Sequence, residues 1–356
     1  MNNTNNTYFY HDKPLFGLDI GYSSVKAMQI GWSDKRRVVN GYGVTSFPPE
    51  YVKDGVITEL EPLAATIHAL FEKQIIGAIS TRRVAIAIPA ARTFNRPITL
   101  PKLAAKDLAE AVRLEAEQYI PIPLDNLYID YSITKKTDKE IELLAVAAPK
   151  KMVDSYVTLA RMLGLEVVTL ETTIAAAGRL FVQAEQSDAP TVLIDFGSNS
   201  ADITIYDHDL IVTGTVPCGG DIFTDMISAR LNVTKREAHI IKTKYGLGVS
   251  KKQAEITSAL EPVLASLGKE IRRMIRYYEE RSGTAATIGQ IVTMGGGANM
   301  PGLSEFMTNS LRLPVRMCDP WQNLGFAGLQ PPNNLEKSMY VTVAGLGMIN
   351  PREIFS

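Results

Sequence analysis

Two acidic turns of the same design occur in the two halves of the chain, which has 356 residues. Each copy reads as an apolar strand, an Asp-x-Gly turn, small polar residues and a second strand. The matching positions are Asp19 and Asp195, Gly21 and Gly197, and Ser24 and Ser200, at an offset of 195 − 19 = 176 residues. One such turn is commonly an ordinary β-turn, since turns favour Asp and Gly. The pair predicts a cleft with one hairpin on each wall.

These residue types suit a nucleoside triphosphate and its metal ion. Glycine in the turn allows a positive φ and a close approach of backbone to ligand. Hydroxyl groups can donate to phosphate oxygens, and Lys26 would add a point charge at the β- and γ-phosphates. Asp19 and Asp195 could hold Mg²⁺ through water, because this ion keeps much of its hydration shell. The candidate hydroxyls are those of Ser23, Ser24, Ser198 and Ser200.

Two further glycine loops are candidate ligand loops. Residues 291–303 read as a strand, the triple glycine Gly295-Gly296-Gly297 and a helix start, where a purine could lie against the backbone. The alternative is a plain linker. Cys218-Gly219-Gly220-Asp221 stands between a strand predicted at 210–216 and a helix predicted at 222–231. This loop faces phosphate or is simply a tight strand-to-helix turn.

Composition excludes several classes of protein. The 46% apolar and 21% charged residues predict a packed core, and a net charge of −1 gives no support to a nucleic-acid or bulk anionic-lipid partner. Two cysteines fit a reducing compartment. The polar start has no signal-peptide character, and no apolar run is long enough for a membrane span. The histidines are scattered, and neither a P-loop nor a serine-hydrolase motif occurs.

The middle of the chain has its own rhythm of elements. Apolar spacing predicts a helix at 104–119, paired strands at 127–134 and 140–147, and a helix at 150–163 closed by Gly164. With an extended segment at 98–100, these elements are long enough for a small subdomain. Elsewhere the pattern predicts strands at 84–88 and 291–294 and helices at 174–180, 233–245, 255–281 and 340–348. The mixture indicates an α/β fold.

The order of the two phosphate hairpins and the glycine loop resembles the actin-like ATPase superfamily. Within it, residues 115–124 (Glu-Ala-Glu-Gln-Tyr-Ile-Pro-Ile-Pro-Leu) and Ile129-Asp130-Tyr131 resemble the PilM family of type IV pilus assembly proteins. Ala147-Ala148-Pro149-Lys150 and Leu163-Gly164-Leu165-Glu166 do so as well. The resemblance extends over nearly all of residues 14–350, and the Gln-Tyr-Ile-Pro-Ile-Pro segment is its most specific part.

The resemblance implies a bilobal actin-like ATPase fold with ATP and Mg²⁺ between the lobes, and an FtsA/PilM-type inserted subdomain. The implied division is a disordered tail at 1–13, a first lobe of 14–89, 166–188 and 335–356, a partner-binding insert at 90–165, a second lobe of 189–232 and 289–334, and a helical subdomain of that lobe at 233–288.

The resemblance also implies roles for individual residues. The first phosphate loop would comprise Asp19, Gly21, Ser23, Ser24 and Lys26, and the second Asp195, Gly197, Ser198 and Ser200. Gly219 and Gly220 would touch the phosphates from the second lobe, Gly295, Gly296 and Gly297 would frame the adenosine, and Lys242 would lie over the base.

Two positions depart from the family pattern. His239 stands where the family often has a glutamate that could accept from a ribose hydroxyl, so Glu237 substitutes for it or nucleotide affinity is lower. Thr173 stands where the family tends to have a second acid. Glu171 is then the candidate, together with Asp195, for a catalytic role on an attacking water, although it could equally cap the helix that follows. Any ATP hydrolysis would be slow, because no strong general base is visible.

The implied partner is the cytoplasmic N-terminal peptide of PilN, a single-pass protein of the inner membrane. The chain would then be cytoplasmic and peripheral to that membrane through its partner. Contacts with pilus motor ATPases and self-association are further implications. An FtsA-like polymerising division protein is the main alternative, although the last residues are too weakly basic for that class's membrane helix. A sugar or acetate kinase is the third reading, and no sugar-binding cluster is evident at 90–165.

Overall fold

The structure is a computed structural model, and it describes residues 13–33, 36–184, 189–282, 287–334 and 336–354. The predicted tail up to residue 12, and residues 185–188 of the predicted crossover between the lobes, lie outside these ranges. Within them, no helix is long and apolar enough to cross a membrane.

The described residues form three main sheets and a two-stranded ribbon. The strands are β1 (Phe16–Ile20), β2 (Ser24–Ser33), β3 (Arg36–Ser46), β4 (Val52–Lys53), β5 (Val56–Ile57), β6 (Ile76–Gly77), β7 (Arg83–Ile88), β8 (Phe94–Pro101), β9 (Leu127–Lys136), β10 (Glu140–Pro149), β11 (Glu166–Thr172), β12 (Thr191–Phe196), β13 (Ala201–Asp207), β14 (Asp209–Val216), β15 (Gln290–Met294), β16 (Val315–Met317) and β17 (Leu324–Gly325).

Helices cover these sheets and join them. They are α1 (Leu60–Lys73), α2 (Ala105–Glu117), α3 (Lys150–Met162), α4 (Thr173–Ala184), α5 (Gly220–Leu231), α6 (Lys235–Lys244), α7 (Gln253–Ser282), α8 (Leu303–Leu311), α9 (Val341–Gly347) and α10 (Pro351–Ile354). The predicted helices and strands are found close to their predicted limits.

The first and second sheets repeat one arrangement. The first has the order β11-β7-β1-β2-β3-β17, with β6 also paired to β3, and the second has the order β14-β13-β12-β15-β16. In both, an antiparallel hairpin leads the unit and its first strand also pairs in parallel with a strand from later in the chain. All five residues of β1 are buried, as expected of a strand covered on both faces.

Three cores hold the lobes together. One lies under the first sheet around Phe16, Leu63 and Tyr156, and another under the second sheet around Phe196 and Phe223. The third core has members from both sheets and from α4 and α9. The two lobes are therefore joined at one side by continuous apolar packing, which leaves the other side free to form a cleft.

The segment predicted as an inserted subdomain divides between two cores. The sheet β8-β10-β9 and helix α2 share a small core around Leu108, Val112 and Leu143. Helix α3 does not join it, because Tyr156 and Leu159 are fully buried in the core of the first lobe. The unit that packs separately therefore ends at the end of β10, before the predicted limit at residue 165.

Two other expected boundaries differ in the same way. Helices α6 and α7 contribute Ala238, Ile256 and Leu260 to the core of the second sheet, so they do not have a core of their own. Strand β17 lies in the range expected for the second lobe, yet Leu324 pairs with Arg37 of β3. Both differences arise from tertiary packing, which sequence periodicity does not report.

Candidate functional site

The first hairpin carries a buried ion pair at its tip. Residues Asp19 of β1 and Lys26 of β2 face each other in register, and Lys26 Nζ lies 3.0 Å from Asp19 Oδ2. The turn closes with a hydrogen bond of 2.9 Å from Gly21 N to Ser24 O, and Phe47 N donates to Ser23 O. The backbone of this loop is thus fixed on both sides before any ligand arrives.

The second hairpin has the same backbone with a different partner for its acid. Asp195 of β12 faces Asp202 of β13 in register, and Gly197 N donates to Ser200 O over 2.9 Å. Thr215 of β14 donates to Asp202 Oδ1 over 2.7 Å. Where the first hairpin pairs an acid with a lysine, the second therefore places two acids side by side.

This pairing of acids perturbs their protonation. Burial, with the nearby Asp202 and Asp19 carboxylates, raises the pKa of Asp195 to about 7, although Lys26 acts to lower it. Burial raises the pKa of Asp202 to about 6, against the lowering effect of the hydrogen bond from Thr215. The influence of Asp19 on Asp195 means that the two turn acids approach each other across the cleft. A bound cation would favour the charged form of both.

The N-terminus of α5 is attached to the second hairpin. Gly220 N donates to Gly197 O over 2.9 Å, and Asp221 N donates to Ser198 O over 2.8 Å. A side chain at Gly219 would collide with the Ser198 carbonyl, so glycine is required there by close packing. A helix N-terminus next to serine hydroxyls favours an anion.

The expected reason for the hairpin glycines is wrong. Gly21 and Gly197 are not among the glycines with a positive φ, and a Cβ at either position would meet only the serine carbonyl that closes the turn. Gly295 does have a positive φ, of 82°, and a side chain there would collide with the Asp195 carboxylate and the Phe196 backbone. The conformational need for glycine therefore lies in the third loop.

Helix α6 forms another wall of the cleft. Lys242 is buried and donates to Gly220 O over 2.6 Å and to Thr224 Oγ1 over 2.9 Å, which joins α6 to α5. Burial lowers its pKa, and Asp221 opposes that shift. His239 lines the cleft, and burial and the charge of Lys242 lower its pKa, so its neutral form is favoured.

Glu237 does not take the place of the expected ribose acceptor. Its carboxylate accepts from the backbone N–H and the hydroxyl of Thr234, in the capping box that starts α6. It is absent from the lining of the cleft. The nearest element of α6 that a ligand would meet is His239 instead.

The loop after β15 is held by the first lobe. Gly295 N donates to Ser338 O over 3.1 Å, and the Ser338 hydroxyl donates to Gly295 O over 2.8 Å. Ser338 is fully buried. This contact places the short 3₁₀ turn Gly296–Asn299 at the edge of the cleft.

The cavity between the lobes has a volume of about 490 Å³, within the range of small-molecule sites. It brings together nearly all the residues expected from the sequence. They are Asp19, Gly21, Ser23, Ser24, Lys26, Asp195, Gly197, Ser198, Ser200, Gly220, Lys242, Gly295, Gly296 and Gly297.

Glu171 is not brought to this cavity. Both of its carboxylate oxygens accept from the guanidinium of Arg179, over 2.6 and 2.7 Å. Thr173, two residues later, does line the cavity, and its hydroxyl accepts from Ala90 N. The ion pair with Arg179 leaves Glu171 without the freedom that orienting a water molecule would need. Gly219 also lies outside the lining, behind Ser198.

Sequence analysis overlooked Asp202. Its position could be read from the hairpin repeat, because Asp202 stands to Asp195 as Lys26 stands to Asp19, and 202 − 26 = 176. Among the described residues, no group of three or more His, Cys, Asp and Glu side chains is arranged to bind a metal ion directly. The acids therefore suit an ion that keeps its water.

A second recess lies between the small sheet and the second lobe. It consists of two adjoining cavities of about 300 and 430 Å³, which share Asn95, Ile174 and Thr213. Edge strands β8 and β14 and helix α4 form its walls. We call this recess the insert groove.

The fold and the cleft define the class of the protein. The chain is similar to a PilM–PilN type IV pilus biogenesis complex, with 24% identity, a TM-score of 0.81 and coverage of 95% of this chain and 98% of the other. It is also similar to MreB5 of Spiroplasma citri bound to AMPPNP, at 14% identity, a TM-score of 0.53 and 94% coverage of each chain. The fold is therefore that of the actin-like ATPases.

The particular family follows from the sequence match. The chain belongs to the family of type IV pilus assembly protein PilM, whose family model matches residues 17–350. Among curated relatives, the cell division protein FtsA of Bacillus subtilis is 23% identical, over 92% of this chain and 81% of its own length. FtsA of Streptococcus pneumoniae is also 23% identical, over 86% of this chain and 75% of its own length.

Proposed function

We propose that this chain is an ATP-binding scaffold of the type IV pilus assembly platform, which binds the N-terminal peptide of PilN and responds to nucleotide. The observation that carries the proposal is the pair of hairpins whose acids, Asp19 and Asp195, interact across a cavity of about 490 Å³. The solved structure with the same fold that contains PilM and PilN together supports the choice of partner.

The phosphates would lie between the two hairpins. The serine hydroxyls of both loops can donate to them, and the N-terminus of α5 adds a favourable dipole. Lys26 and Lys242 supply positive charge beneath the loops, and each is held in place by hydrogen bonds. The base would lie between α6 and the 3₁₀ turn Gly296–Asn299, which line the end of the cavity away from β1.

The residues of the second hairpin fit a hydrated Mg²⁺. No cation within the described residues forms an ion pair with Asp195, and its pKa of about 7 reflects uncompensated negative charge. Mg²⁺ would supply that compensation and bridge the β- and γ-phosphates. Asp19 and Asp195 would hold the water ligands, with Asp202 behind them.

Hydrolysis, where it occurs, would be slow. Glu171 is engaged by Arg179, which leaves Asp195 as the acid nearest to where an attacking water would stand. Asp195 would then accept hydrogen bonds from ordered water and the metal's hydration shell. Its commitment to the metal limits its strength as a base.

The insert groove is suited to an extended peptide. Its walls include the edge strands β8 and β14, whose free backbone groups can pair with an added strand. Apolar side chains such as Ile98, Ile174 and Leu210 offer pockets for alternate side chains. We place the PilN peptide there, and this contact would hold the chain at the cytoplasmic face of the inner membrane.

Two hydrogen bonds join the groove to the nucleotide cleft. Thr215 lines the groove and donates to Asp202, which lines the cleft. Ala90 also lines the groove, and its N–H donates to Thr173 of the cleft over 3.2 Å. A ligand that moves either partner changes the other site, and such coupling is reciprocal.

The direct test measures the affinity of a synthetic PilN N-terminal peptide with and without ATP and Mg²⁺. We expect affinities that differ by several-fold, and equal affinities would remove the coupling. ATP affinity must be measured on protein stripped of bound ligand. Absence of binding at millimolar ATP would refute the nucleotide part of the proposal.

The peptide site has a matched pair of variants. Val182 of α4 lines the groove and is 46% exposed, while Met162 of α3 is 42% exposed and outside the groove lining. Each lies near the C-terminal end of its helix, where lysine is tolerated. We expect Val182→Lys to weaken peptide binding about tenfold or more and Met162→Lys to leave it unchanged. Equal effects would move the peptide elsewhere.

The second candidate function is that of an FtsA-like polymerising protein. The curated relatives favour it, since FtsA of Bacillus subtilis aligns with 92% of the chain. Sedimentation with ATP and Mg²⁺ distinguishes the two functions. Abundant nucleotide-dependent filaments with no affinity for the PilN peptide would favour polymerisation.

A further inference from the structure

One side-chain oxygen in the cleft wall lacks a hydrogen-bond donor. Asn299 ends the 3₁₀ turn Gly296–Asn299, and its Nδ2 donates to Gly296 O over 3.4 Å. Its Oδ1 is buried, and no hydrogen bond to it is found in the part of the chain that is described. The residue lines the same cavity as both phosphate hairpins.

A buried amide oxygen without a donor is unfavourable, and most such groups in proteins are satisfied. The bond to Gly296 O fixes which end of the amide is the acceptor. Asn299 therefore presents an acceptor to a ligand with a donor at that place. Its neighbours in the lining are His239 and Thr243 of α6 and Met300, so the acceptor stands where we place the base rather than the phosphates.

We propose that Asn299 Oδ1 accepts a hydrogen bond from the 6-amino group of adenine and so selects adenine over 6-oxo purines. This inference rests on the proposed nucleotide function. Guanine and hypoxanthine carry an acceptor at the same position, which would face the Asn299 oxygen with no proton between them. A site built to bond a substrate N–H discriminates against analogues that lack it, because the buried partner is then left unpaired.

The test compares ligands that differ at that one group. Purine riboside triphosphate lacks only the 6-amino group of ATP, and inosine triphosphate replaces it with an oxygen. Their affinities, with Mg²⁺ present, are measured by calorimetry on wild type, Asn299→Ala and Asn299→Asp. Thermal unfolding of the ligand-free proteins confirms that each variant is folded.

In wild type we expect ATP to bind about tenfold more tightly than purine riboside triphosphate, the factor that one hydrogen bond is worth. Inosine triphosphate should bind more weakly still. In Asn299→Ala the affinities should converge to within about twofold, while Asn299→Asp, which keeps an acceptor, should still prefer ATP.

Two results would overturn the inference while leaving the nucleotide function intact. In one, Asn299→Ala weakens all three ligands equally, so the side chain only supports the loop. In the other, the preference for ATP persists without the amide. Failure of wild type to bind any of the three nucleotides would instead refute the nucleotide function, and this inference with it. Binding of 2′-deoxy-ATP provides an internal check, because it should respond to Asn299→Ala as ATP does.

Discussion

At the scale of single residues, the two hairpins differ at one pair of equivalent positions. Lys26 neutralises Asp19 on the first wall, whereas Asp202 occupies the equivalent position beside Asp195 on the second. The first wall is thus electrically balanced and the second has excess negative charge. A hydrated cation held at the second wall would complete the balance, and this asymmetry gives the metal a definite side of the cleft.

The raised pKa of Asp195 predicts a pH dependence of stability. In the unfolded chain this carboxyl ionises near its ordinary value of 3.8, but in the folded protein only near 7. Between these values the folded state binds more protons, so rising pH favours unfolding. The slope is at most about 1.4 kcal/mol per pH unit for one acid. We expect Asp195→Asn to remove that contribution, measured by urea unfolding of ligand-free protein from pH 4.5 to 7.5.

The control for this series is Asp138→Asn, because the Asp138 side chain is fully exposed. Its unfolding free energy should follow that of wild type throughout. The stabilisation by Asp195→Asn should grow from pH 4.5 to about pH 7 and then level off. A difference that is independent of pH would contradict the assigned pKa.

The ion pair of the first hairpin predicts a strong effect of removing one partner. Both side chains of Asp19 and Lys26 are about one-tenth exposed, at 10% and 9%. Lys26→Met would leave a buried carboxylate unpaired, at a cost of about 3 kcal/mol. Adding Asp19→Asn should recover much of that loss. Guanidinium unfolding of the single and double variants checks this, and additive losses would show that the pair is not coupled.

At the scale of elements, the sequence predicted what is local and missed what depends on packing. The strand-turn-strand patterns and helical periodicities gave the hairpins and α2 to α4 to within a few residues, because repeat period and turn chemistry act locally. The assignment of α3 to the inserted subdomain was wrong, since its amphipathic face fits either core. The engagement of Glu171 by Arg179 was equally hidden, because it depends on how β11 meets α4.

The contact between α4 and α9 leads to a prediction that opposes helix propensity. A Cβ at Gly345 of α9 would collide with the backbone carbonyl of Ala176 in α4. Alanine is favoured over glycine inside helices by about 1 kcal/mol, yet here we expect Gly345→Ala to destabilise the protein by about 2 kcal/mol or more. Thermal and chemical unfolding measure the change.

Gly268 of α7 is the matched control. A Cβ there would meet only the flexible guanidinium of Arg272 and a side-chain methyl of Leu311 at ordinary distances. Gly268→Ala should therefore be neutral or stabilising. If both variants changed stability in the same direction, the close approach of α9 to α4 would not be the cause.

At the scale of the whole molecule, the lobes are joined on one side and separated on the other. The apolar core shared by both sheets includes Met28, Leu193 and Val343 and lies at the joined side. Closure around a ligand would therefore be a rotation about this core, and the insert groove would change shape with it. Thr215 lies where the two sites meet, since its backbone borders the groove and its hydroxyl reaches a cleft acid.

This position predicts that Thr215→Val uncouples the two ligands. Valine keeps the shape of threonine and loses only the hydroxyl that donates to Asp202, so each ligand should still bind alone. The ratio of peptide affinities with and without ATP and Mg²⁺ should fall towards one. Thr213 lines the same groove, two residues earlier on β14, and no hydrogen bond joins its side chain to Asp202. Thr213→Val should therefore preserve the wild-type ratio. If both variants kept that ratio, the coupling would have to pass through Ala90 and Thr173 instead, and if both abolished it, the shape of β14 rather than one hydroxyl would transmit the signal.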